Sequence, residues 1–171
     1  MARPAARPVW VFGAGPVGTA LVPTLPALGF AVTWVDARRA SFPAMLPPGV
    51  EIRISADPCR LLGDIPQGAF ILIMTYSATL DLALAAETLD ARRFPFVGMV
   101  GSAAKRMRFI KRMIEAGMAR QDAARLVCPV GAPTGGSRLP AAVAAGIVGE
   151  LLVRDAAIGP ALGALTLGGE P

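Results

Sequence analysis

From Pro8 to Val35 the chain carries no charged residue. A stretch this apolar can cross a membrane, or it can supply buried strands and the helix packed on them. The residues themselves argue against a membrane span. Gly13, Gly15, Pro16, Gly18, Pro23, Pro26 and Gly29 break the stretch into two short β-rich runs around a helical run. It is also too long and too broken for a secretory signal. What remains is strand, turn, helix, strand. Val9 to Phe12 suits a buried strand, and Pro16 can open a helix because its missing N–H is not needed there. Pro23 and Pro26 should kink or shorten that helix, and Gly29 should stop it. Ala31 to Val35 is the next strand, ending at Asp36.

The same alternation continues. Glu51 to Ile54, Phe70 to Met74 and Pro95 to Val100 read as strands. Helices are expected over 78–89, from Ser102 to about Ala116, over 121–126 and over 140–154. Short apolar strands alternating with helices predict an α/β chain, a doubly wound parallel sheet in a single domain. A chain of 171 residues, 54% apolar and 17% charged, is long enough for one real core and too apolar for general disorder. The domain is placed over residues 8–156, and 157–171, with several glycines and prolines, reads as a loosely held tail.

Composition narrows the chemistry. The chain has no histidine, which removes the commonest general base, the commonest metal ligand and any Ser-His or Cys-His pair. Cys59 and Cys128 stand far apart, which fits neither a disulfide framework nor a zinc site, and places the chain in a reducing, cytoplasmic setting. Cys128 reads as an inert structural cysteine. The net charge is +5, but the basic residues are not interleaved with aromatics, so no nucleic-acid partner is expected. There is no G-x-S-x-G and no G-x-x-x-x-G-K-[ST]. Leu80 stands where a Tyr-x-x-x-Lys pair beginning at Tyr76 would need its lysine. No catalytic residue and no protein-held metal are assigned.

Three segments could hold a ligand. In VWVFGAGPVG, Gly13 allows a tight turn, Gly15 lets a phosphate approach the backbone, and Gly18 lets the helix pack on the strand. Asp36 can take a ribose hydroxyl or another polar ligand group, with Arg38 and Arg39 just beyond as alternative phosphate contacts. In GMVGSAAKRMRFIKR, Gly101 supplies a turn, Ser102 a helix cap, and Lys105 an ammonium within reach of an anion at the sheet's carboxyl edge. Arg108, Lys111 and Arg112 read as a solvated basic face. Thr75 stands at a facing strand end, and Arg138, in CPVGAPTGGSRLPA, is a looser candidate.

These pieces, in this order, resemble the C-terminal domain of the XdhC-type xanthine dehydrogenase accessory proteins. The resemblance is carried by VWVFGAGPVG, Val35-Asp36, ILIMTYSATLDLAL, FPFVGMVGSAAKRMRF and RLVCPVGAPTGGSRLPAAVAA, and spans roughly Val9 to Arg154. Where the family commonly carries a T-H-x-H-like strand end, this chain has Thr75-Tyr76-Ser77-Ala78. The resemblance implies a Rossmann-like domain that binds molybdenum cofactor. It implies a carrier rather than an enzyme: a chain that protects the cofactor, supports its sulfuration by a cysteine desulfurase and delivers it to a xanthine dehydrogenase-type molybdoenzyme. A homodimer is left open. Two alternatives remain: an NAD(P)-binding oxidoreductase, and a non-catalytic remnant that serves as an interaction module. On the first reading, Gly13, Gly15 and Gly18 meet the phosphate and Asp36 a polar group, while Thr75, Gly101, Ser102, Lys105 and Arg138 complete the site.

Overall fold

The computed structural model describes residues 6–131 and 136–159. Five strands form one parallel sheet: β1 (Arg7–Phe12), β2 (Phe30–Asp36), β3 (Val50–Ile54), β4 (Phe70–Ile73) and β5 (Phe96–Met99). Their order is β3-β2-β1-β4-β5. Five helices accompany them: α1 (Pro16–Leu21), α2 (Ala78–Asp90), α3 (Ala103–Glu115), α4 (Arg120–Ala123) and α5 (Pro140–Ile158). The expected α/β doubly wound sheet is the fold observed.

Side-chain alternation along the strands builds a core on each face. On β1, Val9 and Val11 point into one core with Leu21 of α1 and Ile147 and Leu151 of α5. Trp10 and Phe12 point into the other, with Leu84 and Leu89 of α2 and Phe109 and Met113 of α3. β1 and β4 are buried throughout apart from one half-buried position, as continuous apolar runs between two helical layers should be.

The first helix departs from expectation. α1 ends at Leu21, and 3-10 turns over Val22–Thr24 and Pro26–Leu28 carry the chain on to Gly29. Pro23 and Pro26 lack the N–H that α-helical bonding requires, so the ladder tightens at each. Leu21, Val22 and Leu25 nevertheless keep right-handed helical dihedrals, so the segment holds its direction. Of the expected strand 95–100, only Phe96–Met99 pairs as β5. The last helix is longer than expected, and most of the expected tail lies outside the described residues.

Arg7 closes the opposite end of the sheet. It is buried, donates to Asp155 at 2.7 Å, and lies over the Phe70 ring. No helix among the described residues is long and apolar enough to cross a membrane.

Candidate functional site

The strand order reverses between β1 and β4, and the helices that follow these strands, α1 and α2, pack into opposite cores. The chain parts there, leaving a crevice at the carboxyl edge of the sheet, the usual ligand position in open α/β sheets. The glycine turn forms one side of this crevice, and the turn from β4 into α2 forms the other.

Gly13 adopts φ +113°. Its N–H donates to Val35 at 2.8 Å, and its carbonyl accepts from the Trp34 indole at 2.9 Å. A Cβ on Gly18 would come within 2.7 Å of that carbonyl and 3.2 Å of the indole nitrogen, so Gly18 is the close-packing position. Asp36, at the end of β2, is tied to the turn. One carboxylate oxygen accepts from the Ala14 N–H at 2.9 Å and the other from the Arg38 N–H at 3.0 Å. A carboxylate offers about four lone-pair sites, so capacity remains for a ligand hydroxyl.

Two hollows adjoin along the crevice. The first, about 530 Å³, is lined by Gly13, Asp36, Arg38, Ser55, Thr75 and Tyr76 among others. The second, about 580 Å³, includes Gly15, Thr19, Arg38, Ser41 and Tyr76 in its wall. Arg38 and Tyr76 belong to both.

Gly101, Ser102, Lys105 and Arg138 are absent from these walls. Ser102 caps α3, accepting from the Lys105 N–H at 3.1 Å, as expected. Gly101 leaves room for its neighbours, since a Cβ there would meet the Lys105 chain at 2.8 Å and Cys128 Sγ at 3.0 Å. Arg138 is exposed just before α5. Lys105 is paired within the protein. Its ammonium does not reach into the crevice but sits 2.6 Å from Asp81 Oδ2, with side-chain exposures of 18% and 2%. Asp81 also accepts from the Thr75 hydroxyl at 2.6 Å and the Thr75 N–H at 3.1 Å. The lysine is thus held inside the structure by a carboxylate on α2, and the pair locks the end of β4. Asp81, the one acid in the apolar run ATLDLALAA, stands with Thr75, Tyr76 and Ser77 at a strand end in the sequence, but its pairing with Lys105 is visible only in the structure.

Among the described residues no group of three or more Cys, Asp or Glu could hold a metal ion. Burial raises the Cys128 thiol, against the lowering pull of Lys105 and Arg106, and its Sγ lies 3.6 Å from the Ser102 carbonyl. Burial, followed by Glu87, pushes Cys59 up to about 11. At pH 8 Cys59 should therefore hold about a hundredfold less thiolate than an ordinary cysteine of pKa 9.0. Iodoacetamide should label it correspondingly slowly, with the rate still rising between pH 9 and 11; a plateau near pH 9 would contradict this.

The family model described as "XdhC Rossmann domain" matches residues 9–151. Among solved structures, the chain is similar to a crystal structure named a xanthine dehydrogenase from Bacillus halodurans, with a TM-score of 0.74 and 23% identity. That match covers 92% of this chain and 45% of the other, so this chain spans under half of its structural neighbour. No curated protein matches it. With the glycine turn, nearly all of the parallel sheet and most of the last long helix inside the matched span, the chain belongs to the XdhC Rossmann domain family.

Proposed function

We propose that this chain serves as an accessory factor to a xanthine dehydrogenase-type molybdoenzyme, binding molybdenum cofactor in the crevice between β1 and β4. The observation that carries this reading is a glycine turn facing hollows of ligand size at the switch point, in a chain of this family.

The residues suit a phosphate-bearing, flat ligand. Gly15 has no side chain to obstruct an anion. The N–H groups of Val17 and Gly18, in the first turn of α1, have no partner within that helix. Asp36 offers spare acceptor capacity to a polar ring or hydroxyl group, and Thr75 stands across the hollow. When bound, the cofactor supplies its own molybdenum centre, so the protein need only hold it and exclude water. The missing histidine is no obstacle to that task. Shielding, support of sulfuration by a cysteine desulfurase, and delivery to the client follow as the carrier's role in the cytoplasm. Gly101, Ser102 and Lys105 contribute by fixing the neighbouring strand ends. A second reading, NAD(P) binding, is favoured by the strand order and by Asp36 at the end of β2.

Gly15→Val tests the site. A Cβ at Gly15 would meet the Tyr76 hydroxyl at 2.7 Å, the far end of an exposed side chain that can swing away. Gly15 itself has an ordinary φ of −86°. The fold should survive with a melting temperature within a few degrees of the parent. Anaerobic titration with purified molybdenum cofactor should show binding lost. Unchanged binding would place the ligand elsewhere. Cofactor-independent NAD(P)H turnover by the parent would favour the oxidoreductase reading.

A further inference from the structure

The phenol of Tyr76 lies on the outer face of Gly15. A Cβ built on Gly15 would be 2.7 Å from the Tyr76 hydroxyl oxygen and 3.0 Å from the ring carbon that bears it. The Arg38 guanidinium stands 5.9 Å from the ring centroid on the other side of the crevice. These two side chains form the shared wall between the two hollows. We propose that Tyr76 is a specificity-determining residue of the crevice. Its phenol covers the face of Gly15 that an anionic group must approach, so a ligand reaching both Asp36 and Gly15 has to displace it, while a ligand confined to the Asp36 hollow does not. The proposal rests on the reading of this crevice as the ligand site.

The backbone below Tyr76 is fixed, and its side chain is loosely held. Thr75 is tied to Asp81, and Ser77 caps α2 by accepting from the Leu80 N–H at 3.2 Å. Tyr76 itself is 72% exposed, and the Arg38 side chain is 67% exposed. A cation–π contact in so open a setting is weak, so the ring can be moved by a ligand that replaces it with stronger contacts. A phosphate brings charge-assisted bonds to backbone N–H groups, which outweigh that contact. Adenosine, with neither phosphate nor length to cross Gly15, has no means of moving the ring. The phenol therefore penalises ligands whose anionic group must cross Gly15, and leaves ligands confined to the Asp36 hollow unaffected.

The chain has one tyrosine, so its ring can be observed without assignment. With ¹³C-tyrosine-labelled protein, ADP-ribose should shift the single ring resonance and adenosine should leave it nearly unchanged. Tyr76→Ala should bind ADP-ribose roughly fivefold more tightly than the parent, the order expected for removing one exposed cation–π contact. Its affinity for adenosine should stay within twofold. Tyr76→Phe, which keeps the ring but loses the hydroxyl nearest Gly15, should fall between the two for ADP-ribose. If ADP-ribose binds without moving the resonance, or Tyr76→Ala fails to gain affinity, the selective role of Tyr76 is overturned while the crevice reading stands. If neither probe binds the parent or either variant, the selective role of Tyr76 falls, while the crevice reading is decided separately by the anaerobic titration with molybdenum cofactor.

Discussion

Gly13→Ala is expected to cost the domain about 3 kcal/mol or more, a large part of the roughly 5–15 kcal/mol that stabilises a typical domain. Two effects add. At φ +113° an L side chain is strained, at an order of 1–3 kcal/mol. The new Cβ would also lie 2.3 Å from the Met74 carbonyl oxygen and 2.7 Å from its carbon. Those atoms are backbone at the end of β4. They cannot retreat, because the Met74 N–H is bonded to the Phe12 carbonyl at 2.8 Å. The turn cannot retreat either, because Val35, Trp34 and Asp36 bind the atoms around it. Urea unfolding followed by far-UV circular dichroism measures the loss, and a chain of this size should melt about 6–12 °C lower. A loss below 1 kcal/mol would mean that the turn is not built this way. Gly15, two residues on, provides the contrast, since a methyl group there meets only a movable phenol.

Asp81→Ala should cost about 3–5 kcal/mol, the usual penalty for breaking a buried ion pair from one side. It strands the mostly buried Lys105 ammonium, leaves the Thr75 N–H without its acceptor, and leaves the Thr75 hydroxyl only the Ser77 carbonyl at 3.1 Å. The Lys105 ammonium retains only a long contact of 3.4 Å to the Val100 carbonyl and its place 5.3 Å from the Phe109 ring centroid. Lys105→Met keeps the length but strands the more deeply buried Asp81 carboxylate, so it should cost a similar amount. Asp81→Asn combined with Lys105→Met should recover most of the loss, because the amide oxygen can still accept from Thr75. A denaturation double-mutant cycle reads the coupling. Additive losses would show that the two groups act separately. The corner held by Asp81 also carries Tyr76 and Ser77, so Asp81→Ala should weaken ligand binding through position rather than contact. Lys105→Ala should likewise act on stability first, in place of the direct anion contact expected from sequence.

Much of the architecture was legible because it is written locally. The charge-free run, the glycine spacing and the proline at α1's start lie within a few residues of what they specify. Ser77 and Ser102 each cap a helix three residues from the N–H they accept. The prolines at 23 and 26 announced the shortening of α1. Asp36 was legible as a strand-end acid, although its bonds to Ala14 and Arg38 were not.

The sequence by itself determined that strands and helices alternate, that the sheet is parallel and buried on both faces, and that a glycine turn opens the first helix. Local pattern and side-chain period suffice for these, since each depends on neighbours along the chain. Only the tertiary structure decided which strand ends lie side by side, and through that which groups meet. Asp81 and Lys105 are 24 residues apart in the chain and touch because β4 and β5 are neighbours. Tyr76 covers Gly15 because β4 lies beside β1. A lysine within reach of an anion and a lysine already neutralised by a buried carboxylate look the same in sequence. The partner that distinguishes them arrives from another strand, and buried charges take whichever opposite charge the packing brings within hydrogen-bond distance.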